Sequence, residues 1–288
     1  MEIQEPDIKF KFSIKPRLPT LPIGIQDLLK LLADNNLTYP QLAEVIKNHP
    51  NIVARLIALA NSAWAAAVVP ISNLETACAR LGLTVVRSTS IALAIASPFN
   101  PARCPGFSVQ RFWTTAMLVA EASGLLALQA NAKIFQEDGK GAAETAGILH
   151  HFGLLWFADQ MPDEIHKVFI YVEKNPSVSI SKVLREQTYS DYSTIGGWIA
   201  REWGLPELLA VSIEHHLDTE YQQDNWEMVL IVGAASRMAA AMLRGDEQPP
   251  SNYRLESLGI HIATQEKVYL QLGKKYERCQ EMAKAFFV

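Results

Sequence analysis

From Pro16 onward the apolar residues recur at steps of three and four, and this periodicity constrains the fold more than any motif. Such spacing puts them on one face of a helix, and that face must be buried against a neighbour. Ile25, Leu28, Leu29 and Leu32 open the pattern after the extended lead-in Leu18-Pro-Thr-Leu-Pro22. Leu42, Val45 and Ile46 continue it, followed by Ile52, Val53, Leu56, Ile57, Leu59 and Ala60. Thr38-x-x-Gln41 and Ser72-x-x-Glu75 read as capping boxes, and Leu81-Gly82 as a helix end. Further helices are expected over 85–96, 112–129, 143–157, 163–174, 179–187, 191–203, 206–216 and 226–243. The segment 138–141, Asp-Gly-Lys-Gly, reads as a turn. Val268, Leu272, Tyr276, Cys279, Met282 and Phe286 form the stripe of a tail helix.

Only residues 8–14 alternate, with Ile8, Phe10, Phe12 and Ile14 separated by Lys9, Lys11 and Ser13. One strand cannot stand alone, so this is an arm packed on the body, a segment paired with another chain, or an extended arm without a ladder. The fold class is therefore all-α, with one short N-terminal extended arm at most. Three prolines and a glycine lie between Pro98 and Gly106, and Pro249-Pro250 closes a polar run. The expected division is an arm at 1–15, an N-terminal helical bundle at 16–104, a larger helical domain at 105–245, and a linker with a C-terminal helix packing back at 246–288.

Apolar residues make up 49% of the 288 and charged ones 19%, enough for a sizeable core and incompatible with disorder or a disulfide-stapled miniprotein. The net charge of −4 argues against a general nucleic-acid binder, because phosphate affinity needs a basic excess. Cys78, Cys104 and Cys279 lie far apart and form no Cys-x-x-Cys pair, so reduced, mostly buried thiols in a cytoplasmic protein are expected. The acidic N-terminus does not resemble a signal peptide, and the longest apolar run, Trp113 to Ala130, carries Glu121. A soluble protein with no membrane contact is the expectation.

The candidate chemistry lies in two histidine pairs. His150-His151 sits in Gly147-Ile-Leu-His-His-Phe-Gly153, and His215-His216 ends a second apolar helix. Neighbours on one helix point about 100° apart, so a single pair rarely grips one ion, but two pairs from two helices could converge. A hydrolytic metal site also needs carboxylates, and only Glu144 and Asp159 flank the first pair. Hydrogen-bonded or interface histidines therefore compete with a zinc-type site. His49 reads as a helix-end residue, and His166 and His261 as surface groups. Trp64 is a core anchor between the bundle and the next domain, or part of a partner surface. No nucleophile elbow, Walker loop or dinucleotide fingerprint is present.

Several stretches together resemble the HDOD domain, a bacterial helical module related to HD-type metal phosphohydrolases. They are Leu18-Pro-Thr-Leu-Pro22, Ile46-x-x-x-Pro50, Arg55-Leu-Ile-Ala-Leu-Ala-Asn-Ser-Ala63, and Ile71-Ser-x-Leu-x-x-Ala77 with Leu81-Gly82. Phe112-Trp113, Gly147-Ile-Leu-His150 with Gly153, and Trp203-Gly-Leu-Pro-Glu207 leading to His215-His216 complete the set. The resemblance covers roughly residues 16–245 and implies an HD-like helical domain at 105–245.

Set against that family's active members, the ligand set is incomplete. Thr115 and Tyr192 stand where histidines are expected, His151 replaces the aspartate of the His-Asp doublet, and Leu154 replaces a lysine. Ser236 stands where a distal aspartate is expected. His150, His215 and His216 remain at ligand positions. The resemblance then implies no catalytic residue and a degenerate pocket of His150, His151, His215, His216, Thr115, Tyr192 and Ser236. No metal or other cofactor is expected; if an ion binds, it would be one zinc- or nickel-type ion on the four histidines. The expected function is a non-catalytic signalling module that contacts a protein partner in trans, with homodimer formation through the arm as one route. The alternatives are a metal-dependent phosphohydrolase, on cyclic dinucleotides or nucleotide phosphoesters, and a small-ligand sensor.

Overall fold

The computed structural model describes residues 18–21, 24, 25, 27, 28, 38–62, 65, 69–131, 135 and 139–285. The alternating segment 8–14 and Trp64 lie outside these residues. Among the described residues there are thirteen α-helices and no strand.

The first four helices are α1 (Tyr39–Ile46), α2 (Pro50–Ala60), α3 (Leu74–Leu81) and α4 (Leu83–Ala96). The Thr38–Gln41 capping box opens α1. Helix α3 starts one residue later than the second box predicts: Asn73 is the cap, and its side chain accepts the amide of Thr76 at 2.8 Å. Gly82 turns the chain between α3 and α4 at φ 86° and ψ 152°, a region open only to glycine.

The next group is α5 (Val109–Ala127), α6 (Gly139–Leu149), α7 (Gly153–Gln160), α8 (Pro162–Lys174), α9 (Ile180–Thr188), α10 (Tyr192–Glu202), α11 (Glu207–His215) and α12 (Trp226–Arg244). Helix α5 is central, packing against α6, α12 and the C-terminal helix α13 (Ile262–Ala285). It is apolar nearly all round, as a helix enclosed by neighbours must be. Helix α12 is long and apolar enough to cross a membrane, yet its apolar residues are spent on this core.

Two expectations fail around α6. Gly139, Lys140 and Gly141 form its first turn rather than a separate loop. Packing of α6 on α5 overrides the poor helix propensity of the two glycines, and a Cβ at Gly147 would lie 2.8 Å from the Ala120 backbone. The single helix expected over 143–157 is broken at 150–152. There the amides of Phe152, Leu154 and Leu155 bond three residues back, to Leu149, His151 and Phe152. The break brings Gly153 against α10, where a Cβ would sit 2.1 Å from the Tyr192 carbonyl oxygen.

Neither proline-rich segment hangs free. Asp159 accepts the Asn100 amide at 3.0 Å, and Cys104 and Phe107 are buried. Buried Gln265 of α13 accepts the Asn252 amide and donates to the carbonyls of Asn252 and Ile260. All three cysteines are free and buried.

Candidate functional site

The break after α6 and the end of α11 bring His150, His151 and His216 together, all buried. His150 and His151 stack face to face, with centroids 4.1 Å apart and planes 8° apart. The expected 100° divergence does not apply because neither ring lies on a continuing helix. Phe112 of α5 stacks on the other side of His151 at 4.2 Å. His216 meets His150 edge-on at 5.2 Å, and the Tyr192 ring lies 5.8 Å from His216.

Each ring has one nitrogen within hydrogen-bond reach of a backbone carbonyl, which can only accept, so that nitrogen carries the proton. His150 Nδ1 donates to Gly147 at 2.7 Å, His151 Nε2 to Phe112 at 3.2 Å, and His216 Nδ1 to Ile213 at 2.8 Å. His151 Nδ1 and His216 Nε2 are left as buried lone pairs without partners. Burial pushes all three imidazoles down: His150 well below its ordinary value, His151 to about 3 and His216 to about 4. The neighbouring rings depress His150 further, whereas carbonyl contacts and Asp191 partly offset the effect at His216. The cluster is neutral at pH 7.

Asp191 and Arg237 supply the charges near His216, and sequence reasoning singled out neither. Asp191 is fully buried. Its Oδ1 accepts from the Ser193 and Thr194 amides at 3.0 and 2.9 Å, and from the Ser193 hydroxyl at 2.7 Å. Its Oδ2 accepts from Arg185. Burial raises this carboxyl, but those bonds and the Arg185 charge outweigh burial and hold it below its ordinary value. The Asp191-x-Ser193-Thr194 pattern signals a helix cap, which Asp191 is, but gives no hint of the histidine across the chain. Arg237 is half-buried on α12, and burial lowers its pKa.

The other candidates fall elsewhere. His215 stacks on Tyr221 at 4.4 Å with a third of its side chain exposed, because turning His216 inward turns its neighbour out. The Thr115 hydroxyl returns to the Arg111 carbonyl of its own helix at 2.8 Å. Ser236 is half-buried on α12 and shares no hydrogen bond with the histidines. His49 precedes α2 as expected, and His261 is exposed. His166, expected at the surface, is half-buried beside Gly106, whose missing Cβ makes the room.

This donor set does not fit a dinuclear hydrolytic centre. A zinc-bound imidazole places the ion in its own ring plane at about 2.0–2.1 Å. Two nearly parallel, stacked rings with centroids 4.1 Å apart offer no common in-plane point, so His150 and His151 cannot share an ion as placed. The oxygens of Asp191 are already engaged. Among the described residues, no group of three or more His, Cys, Asp or Glu side chains is arranged to hold a metal ion.

A model of the HDOD domain matches residues 18–219. The chain belongs to the HDOD family. Three solved structures share its fold. A Marinobacter aquaeolei VT8 protein, whose name proposes a role in signal transduction, aligns with a TM-score of 0.82 and 22% identity over 95% of this chain and 62% of its own. A Shewanella amazonensis SB2B protein, whose name proposes phosphohydrolase activity, gives 0.71 and 22% over 93% and 95% of the two chains. A Geobacter sulfurreducens HDOD domain protein of unknown function gives 0.70 and 20% over 95% and 94%. An uncharacterised protein of Treponema pallidum (strain Nichols) is 23% identical over 273 residues, 89% of this chain and 50% of its own length. This HDOD chain thus spans about half the length of the Treponema relative and under two thirds of the Marinobacter protein.

Proposed function

We propose that this HDOD chain is a non-catalytic regulatory module that works through protein contacts. The observation that carries this reading is the stacked, neutral His150–His151 pair. It fills the position of a metal-binding doublet with two rings that cannot converge on one ion. With two imidazoles that do not converge and the Asp191 carboxylate already engaged, the described side chains there do not build a group that activates water or steadies a leaving group for phosphoester cleavage. The rings serve instead as core: His151 bonds the Phe112 carbonyl of α5, His150 meets His216 at the end of α11 edge-on, and the Gly147 and Ile213 bonds tie His150 and His216 each to its own helix end. The module's value then lies in its shape, which a protein partner reads. Residues 1–15 are the proposed route to a homodimer.

Purified protein should leave cyclic dinucleotides and nucleotide monophosphates uncleaved with magnesium, manganese, zinc or nickel present. It should co-purify from its native cell with a stoichiometric partner. Turnover that is lost in His150→Ala would overturn the reading. Removal of residues 1–15 should lower the solution mass to that of a monomer, and an unchanged mass would exclude the arm.

A further inference from the structure

A cavity apart from the histidines lies where α4, α5, α6 and α13 meet, and has a volume of about 70 Å³. Its walls include Thr89 of α4, Met117 and Glu121 of α5, Glu144 of α6, and Cys279 and Met282 of α13. The roof helix α13 lies beyond the residues matched by the family model.

Two polar atoms in this wall are buried without partners, Glu144 Oε2 and Thr89 Oγ1. Glu144 is 8% exposed and Thr89 1%. A buried polar atom left unsatisfied is unfavourable, so a ligand that supplies the missing partner is favoured. Both atoms can accept, which calls for a donor. Glu144 Oε1 is 3.5 Å from Lys140, and Glu121 Oε2 is paired with Lys275, which leaves Oε2 of Glu144 as the buried carboxylate oxygen without a partner. Gly124 makes room for this carboxylate, since a Cβ there would lie 2.6 Å from Oε1. The rest of the lining mixes the aliphatic side chains of Val85, Ala120 and Ile148 with the hydroxyls of Thr84 and Ser88 and with Arg278 of α13. A water needs about 10–15 Å³ of such space, so the cavity admits a chain of about five non-hydrogen atoms.

We propose that this cavity binds a short primary aliphatic amine, its ammonium held by Glu144 Oε2 and the Thr89 hydroxyl and its stem by Met117 and Met282. An ammonium offers three donors to acceptors in a poorly hydrated site. Bound there, it would tie the N-terminal helices, the central helices and α13 together.

The test is calorimetric titration of the full chain with n-butylamine hydrochloride, with n-butanol as the neutral isostere. The expected result is one saturable site for the amine and at least tenfold weaker binding of the alcohol. Glu144→Gln, which keeps the shape and removes the charge, should weaken the amine at least tenfold, and Thr89→Val severalfold. If Glu144→Gln does not fold, nuclear Overhauser contacts on the unaltered protein decide the matter: the butyl protons should reach the Met117 and Met282 methyls. No saturable binding, equal binding of the alcohol, an unchanged Glu144→Gln affinity, or absence of those contacts would each overturn the proposal.

Discussion

The indole N–H of Trp203 donates to the carbonyl oxygen of Pro19 at 3.2 Å, across 184 positions of chain. The ring also lies 5.9 Å from Phe99 and 6.1 Å from Phe152. The bond joins two of the family stretches, Leu-Pro-Thr-Leu-Pro at one end and Trp-Gly-Leu-Pro at the other. Trp203→Phe keeps an aromatic ring and loses the donor. It should cost about 1 kcal/mol in urea unfolding, and speed proteolytic cleavage near residues 18–21. Unchanged cleavage there would show that Pro19 is held by other contacts.

The three buried imidazoles make stability fall on acidification. Their folded pKa values lie below 6.5, so the unfolded chain takes up protons first as the pH drops. Stability is complete above pH 6.5 and is lost progressively toward about 4 for His216 and about 3 for His151. Each ring contributes up to about 2 kcal/mol of that loss between pH 6.5 and 5. Glu144 acts in the opposite sense, because burial raises its carboxyl and the folded form binds a proton more readily. The difference between variants isolates one histidine. His216→Asn keeps a donor for Ile213 and removes the titration, so urea melts should show it losing less stability from pH 7 to 5 than the parent. Equal losses would contradict the buried neutral state.

The helices themselves were legible because each is a long amphipathic or apolar run with a cap or a glycine at its end. Predicted and observed limits differ by one residue at each end for 179–187 and 191–203. The break at 150–152 was not legible. No proline or turn pair marks it, and it goes with the close approach of Gly153 to Tyr192, residues 39 apart, which local pattern does not show. For the same reason the site was read in part. His150, His151, His216 and Tyr192 do come together, while His215 turns outward on the last turn of α11. Asp191 and Arg237 enter through tertiary packing, which local pattern does not encode.

Two glycines separate crowding from backbone conformation. Gly153→Ala drives a Cβ into the Tyr192 carbonyl, so α7 and α10 must part, at a cost of about 1–3 kcal/mol. Gly82→Ala meets nothing within 4 Å but sits at φ 86°, and should cost about 1–3 kcal/mol through backbone strain alone. The discriminating measurement is the near-ultraviolet circular dichroism of the aromatic cluster. It should change in Gly153→Ala and stay unchanged in Gly82→Ala.

Gln265 latches α13 to the segment before it through three hydrogen bonds. Gln265→Ala leaves the amide of Asn252 without its acceptor. Hydrogen exchange at Asn252 should accelerate, with a stability loss of about 1–3 kcal/mol. Protection equal to that of the parent would place the latch elsewhere.

The central claim is that His150, His151 and His216 form packed, neutral core rather than a catalytic metal centre. Metal stoichiometry by mass spectrometry, on protein purified without chelators and compared with His150→Ala, tests it most directly. The account predicts no equivalent of metal that depends on His150. One or two ions per chain, lost in His150→Ala, would contradict it.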